Sequence, residues 1–79
     1  MKEELETLYK ETLSSLSQAT SAKEVDDIRV RVLGRKGSLT QLLKGLGALP
    51  EGDRREMGKR ANEIKEGLES RIEEALSRI

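Results

Sequence analysis

Met57, Ala61, Ile64, Leu68, Ile72, Ala75 and Ile79 recur at intervals of 4-3-4-4-3-4, an average of about 3.67 residues that draws a narrow apolar stripe along one nearly straight α-helix. Asp53 is a good N-cap for it, with Glu56 three residues on. A helix from there to the last residue has roughly 26 residues and a length of about 39 Å at 1.5 Å per residue. That is long for a globular helix, so the spacing predicts an elongated, projecting arm.

The rest of the chain must cover that stripe with little material. Seventy-nine residues with one aromatic and no cysteine or histidine make one small domain, residues 1–79, with an aliphatic core near the lower size limit for independent folding. A deep catalytic pocket is not expected. Thiol chemistry, imidazole base catalysis and the usual zinc sites lack their side chains, so no catalytic residue and no metal ligand is assigned. No apolar run reaches the roughly 20 residues that span a bilayer, and the N-terminus lacks the features of a signal peptide. A soluble, cytoplasmic chain without a membrane partner is expected.

Two shorter helical units precede the long one. Leu5, Leu8, Tyr9, Leu13, Leu16 and Ala19 share one face of a first amphipathic helix, with acidic residues crowded in its first turns. Ser21-Ala22-Lys23-Glu24 has the form of a reciprocal cap and predicts the start of a second helix. Val25, Ile28, Val32 and Leu33 give that helix an apolar face. Taken alone, Ile28–Val32 alternates like a strand, but the cap and the upstream spacing favour helix. Gly34-Arg35-Lys36-Gly37 then breaks the unit: Gly34 suits a left-handed helix end, and Ser38-Leu39-Thr40-Gln41 repeats the cap logic. Leu39, Leu42, Leu43 and Leu46 are the expected buried face of the short helix that follows. Short connections make neighbouring helices antiparallel, so the fold class is all-α: an elongated antiparallel bundle, or coiled-coil arm, of three main helices with the middle one broken at Gly34–Gly37.

Charge singles out the same middle region. Between Arg29 and Arg60 lie nine basic residues and three acidic ones, while the whole chain balances 15 against 15. Such a zone attracts phosphates without reading bases, in a salt-dependent way; a solvated surface with intrahelical ion pairs is the plainer alternative. Arg31, Arg35, Lys36, Lys44, Arg54, Arg55 and Lys59 are the candidate RNA-binding residues. Arg29 falls inside the apolar face of its helix, which predicts a packed stem and a structural ion pair with a carboxylate on another helix. Gly34–Gly37 has the form of a GxxG phosphate clamp, but without the strands of that domain the pattern is weak. The near-absence of aromatics argues against stacking on unpaired bases.

The run DDIRVRVLGRKGSLTQLLKGLGALP, followed by EGDRREMGKRANEIKEGLESRIEEAL, resembles the N-terminal tRNA-binding helical arm of the bacterial phenylalanyl-tRNA synthetase α subunit. The likeness covers nearly all 79 residues and is most specific in Ile28-Arg29-Val30, Leu33–Gly37, Leu39-Thr40, Leu46-Gly47, Leu49-Pro50, Gly58-Lys59 and Asn62-Glu63. It implies an appendage that holds tRNA for an ATP-dependent ligase of two α and two β subunits, joining phenylalanine to its tRNA in translation. It also implies that class II catalysis, with its phenylalanine, ATP and magnesium sites, belongs to the full-length enzyme and not to this fragment. The alternative is a helical protein-interaction module that self-associates through an exposed part of the long stripe.

Overall fold

In the computed structural model, which describes residues 2–79, four α-helices account for nearly the whole chain: α1 (Lys2–Gln18), α2 (Ala22–Leu33), α3 (Ser38–Gly45) and α4 (Glu51–Arg78), with a 3-10 turn at Leu46–Ala48 before the last. Ile28–Val32 is helical throughout. The chain runs up along α1, down through α2 and α3, and up again along α4. The molecule measures 42 × 19 × 16 Å, so the 28-residue α4 is as long as the molecule. It does not project from a globule: the whole bundle is the arm.

The stripe on α4 accounts for this arrangement. Ala61, Ile64 and Leu68 are fully buried, and Met57, Ile72 and Ala75 nearly so. Toward the start of α4 they join Leu5 of α1, Val32 of α2, Leu39 of α3 and Leu46 in one cluster. Toward its end, Ile72 and Ala75 meet Leu16, Ala19, Val25 and Ile28 in a second. The predicted stripe ends one step early, because Ile79 lies beyond the helix and is exposed. Gly67 allows a close approach of α1, since a Cβ there would stand 2.8 Å from the Tyr9 hydroxyl. Arg78 ties the far ends together by donating at 3.2 Å to the Leu16 carbonyl, which also accepts from the Ala19 N–H, and at 3.1 Å to the Ala19 carbonyl just beyond α1.

Local details depart from expectation in instructive ways. Ser21 caps α2, its Oγ accepting from the Glu24 N–H at 3.2 Å, while the Glu24 carboxylate reaches back to the Thr20 N–H and hydroxyl. Ser38, in contrast, is the first residue of α3, and Gly37 occupies the cap with no side-chain bond. Gly34 is not left-handed, since its φ is −67°. Glycine is required there by space, because a Cβ on Gly34 or Gly37 would collide with the Val30 or Val32 carbonyl. Asp53 does not cap α4: the helix begins at Glu51, with Pro50 at the cap and its carbonyl accepting from Arg54 N–H at 2.8 Å. Leu43 of the expected α3 face is exposed and Leu42 half-buried. Thr12, which the apolar pattern skips, lies in the core of α1 with its hydroxyl donated to the Leu8 carbonyl at 2.7 Å.

Arg29 also differs from expectation. Its guanidinium is exposed and forks onto Asp26, one turn back on the same helix. Val25, Ile28 and Val32 form the buried line of α2, so Arg29 falls on its flank, where Asp26 is the carboxylate in reach. The ion pair between helices is instead Arg60 with Glu6, in which both guanidinium donors meet both carboxylate oxygens.

Leu68→Ala should remove about 3 kcal/mol of stability, the usual cost of truncating a fully buried leucine. For a domain of this size that lowers Tm by more than about 10 °C. A fall under about 3 °C in a circular-dichroism melt would contradict the burial of the stripe.

Candidate nucleic-acid interface

Gly34 and Gly37 close a tight turn, the Gly37 N–H donating to the Gly34 carbonyl at 2.9 Å while the Thr40 hydroxyl donates to the same oxygen at 2.8 Å. Arg35 and Lys36 are the two central residues of this turn, so both side chains stand clear of the bundle. Val32 and Leu39, on either side of the turn, belong to the cluster of Ile64 and Leu68, which sets Arg35 and Lys36 near the middle of the long axis. Lys44 lies opposite the buried Leu39 and Leu46 on the α3 wheel. Beyond the 3-10 turn, Arg54, Arg55 and Lys59 occupy the first turns of α4. Arg55 and Lys59 lie about 40° apart on the side of α4 opposite its buried stripe.

All seven candidate RNA-binding residues are exposed, and their charge is largely free. Of the nine cations from Arg29 to Arg60, Arg29 pairs with Asp26, Arg55 with Glu51 at 3.6 Å and Arg60 with Glu6. Among the described residues, no carboxylate lies within 4.0 Å of Arg31, Arg35, Lys36, Lys44, Arg54 or Lys59. Intrahelical ion pairs thus occupy Arg29 and Arg55, an interhelical pair occupies Arg60, and the other six cations form no ion pair among the described residues. The candidate cations do not share one helix face: Lys44 faces outward from α3, Arg55 and Lys59 face outward from the side of α4 away from its buried stripe, and Arg31 lies on a further flank. On the α2 wheel it occupies the flank opposite Arg29, and Arg29 borders a shallow depression with Glu66, Glu69 and Glu73 of α4, so Arg31 is turned away from the α4 side.

Arg60 is the cation removed from this surface. Its guanidinium lies 5.7 Å from the centre of the Tyr9 ring, within cation–π range, and grips Glu6. The hydrogen bond from Arg60 is the main reason that the Glu6 carboxyl titrates below the ordinary carboxylate range, with the nearby charges of Arg60, Lys2 and Lys10 adding to it against partial desolvation. The Arg60 guanidinium is raised in turn, first by that bond. Because about a third of each side chain meets water, solvent screens the pair. Sequence reading could not find this contact, since its partners are 54 residues apart and neither breaks a local pattern.

Among the described residues there is no group of three or more His, Cys, Asp or Glu side chains that could hold a metal ion. Among the described residues no helix is long and apolar enough to cross a membrane. What the arrangement offers is a set of exposed guanidinium and ammonium donors fixed on rigid helices, suited to phosphate oxygens.

A family model described as the N-terminal domain of class II aminoacyl-tRNA synthetases matches residues 20–79, and the chain belongs to that family. Within it, the chain is similar to the phenylalanine–tRNA ligase alpha subunit of Clostridium acetobutylicum, with 47% identity over 79 residues, all of this chain and 23% of the relative. The same-named subunits of Trichlorobacter lovleyi and Desulforamulus reducens are each 42% identical over 78 and 79 residues, again covering 23% of their lengths. The chain thus spans about a quarter of these relatives. No solved structure matches it.

The Glu6–Arg60 pair makes a prediction about acid stability. A carboxyl whose folded-state pKa lies below its unfolded value stabilises the fold fully above the unfolded value and loses that contribution as pH falls through the folded one. Glu6→Ala should therefore lower Tm at neutral pH, and the gap to the native chain should close as pH drops below the ordinary carboxylate range. A gap that stays constant across that range would contradict the ion pair.

Proposed function

We propose that this chain is the tRNA-binding arm of a phenylalanine–tRNA ligase, holding the tRNA backbone by charge and shape. The observation that carries the reading is the group of exposed, unpaired cations, Arg35, Lys36, Lys44, Arg54 and Lys59, with Arg55 beside them, on rigid elements of a chain in this family. Arg31 belongs to the proposed set as a separate contact on the other flank of α2. Each would act on phosphates as a point charge or fork, which positions the RNA without specifying its sequence. The wider setting is proposed with it, on the resemblance to that family together with the relatives' name. It is a cytoplasmic ligase of two α and two β subunits that uses ATP and magnesium to join phenylalanine to its tRNA, with the chemistry in parts of the relatives beyond the quarter spanned here.

The alternative of self-association has less of the stripe to use. From Met57 to Ala75 it is covered by α1, α2 and α3, while Ile79 is exposed.

The test is a salt titration of tRNA binding to the 79-residue chain. Replacing Arg35, Lys36, Arg55 and Lys59 by Gln should weaken binding at every salt concentration. It should also flatten the slope of log K against log salt by about 0.7–0.9 for each phosphate that the variant no longer neutralises. An unchanged slope would show that these side chains do not meet phosphates.

A further inference from the structure

The exposed ridge of α4 changes sign along its length. It begins with Arg55 and Lys59, passes the neutral Asn62, and continues through Glu66, Glu69 and Glu73, all of them exposed. On the helical wheel these residues lie within about 80° of one another, away from the buried stripe except for Glu69, which sits on the flank where Ile72, with Arg29 of α2, borders the same depression. Because α4 is one unbroken helix, their order is a fixed distance scale. Lys59 and Glu66 are about 10.5 Å apart along the axis at 1.5 Å per residue, somewhat more than the screening length of about 8 Å at physiological salt.

The acidic half keeps its charge. Among the described residues no cation lies within 4.0 Å of Glu66, Glu69 or Glu73. Arg29, which borders the same depression, is held by Asp26. Arg71 pairs with Glu74 at 3.6 Å, and Arg78 is turned to the carbonyls of α1. Lys65 is the remaining nearby cation and makes no ion pair among the described residues. A phosphate on Lys59 has one exposed carboxylate, Glu63, about 6 Å along the axis on the neighbouring side and lies a screening length from Glu66, whereas one moved two turns along the ridge would meet three carboxylates directly. Like charges 4 Å apart in water disfavour contact by about fivefold.

We infer that Glu66, Glu69 and Glu73 act as an electrostatic stop that confines RNA to the half of the arm holding the start of α4, and so set its register along the rod. The inference rests on the RNA-binding reading above and adds to it a determinant that works by repulsion, in the way specific interfaces exclude wrong arrangements.

The chain has no cysteine, so a photoreactive cross-linker can be placed at one chosen position. Two single-site variants serve, Gln41→Cys on the exposed side of α3 and Ser70→Cys beside the acidic ridge, each with and without Glu66→Gln, Glu69→Gln and Glu73→Gln together. With tRNA as ligand, position 41 should label RNA in both backgrounds. Position 70 should label only when the three glutamates are neutralised, and that neutralised chain should bind several-fold more tightly. Binding by the native-charge chain with equal labelling from positions 41 and 70 would overturn the stop and leave the cation assignment standing. So would a neutralised chain of unchanged affinity and unchanged labelling. No binding by the native-charge chain would overturn both.

Discussion

The bundle depends on one line of side chains, Met57 to Ala75 of α4, having something to lie against at every turn. The stripe is narrow, so each turn of α4 must be met by a different element: Leu5, Leu39 and Leu46 near its start, Val32 in the middle, Val25 and Leu16 near its end. Three elements of modest length suffice because they are laid end to end along the rod instead of wrapped around a centre. The turn at Gly34–Gly37 is what lets the descending limb of the bundle, α2 then α3, keep contact with α4 over most of its length. Its two glycines stand where backbone carbonyls leave no room for a Cβ.

This packing leaves the opposite side of α4 free to carry charge. A globular core would bury parts of a helix this long on several sides. Here the buried and exposed faces stay in register for 28 residues, so the exposed ridge is a continuous surface with a defined sequence of charges. Lys44 of α3 adds a cation near that end and the turn adds two near the middle of the rod, while the Glu6–Arg60–Tyr9 contact fastens α1 across the bundle. Fold and proposed function therefore share a cause: the geometry that covers the stripe also gathers Lys44, Arg54, Arg55 and Lys59 at one end of a rigid rod.

Most of the architecture was legible in the residue pattern because it is periodic. Helical spacing gave the apolar faces of α1, α2 and α4, and the Ser21 cap and the Gly34–Gly37 break gave the connections. Features decided by competition between neighbours were not legible. Ser38 resembles a cap, but the tight approach of Gly37 to the Val32 carbonyl starts α3 one residue earlier, and Pro50 likewise starts α4 before Asp53 can cap it. Arg29 sits on the apolar side of a wheel, yet Asp26 on the same helix is nearer than any partner across the bundle. The pairing of Arg60 with Glu6 needed the third dimension, as did the distinction between free and paired cations on which the proposed interface rests.

The most direct test of that interface is residue-level mapping. Backbone amide resonances of the 8.8 kDa chain can be followed by NMR during titration with tRNA. Shifts concentrated at Arg35–Gly37, Lys44 and Arg54–Asn62, with a separate group around Arg31 and with α1 and residues 66–78 unmoved, are the predicted result. Shifts centred on α1 or on the second half of α4 would contradict the account.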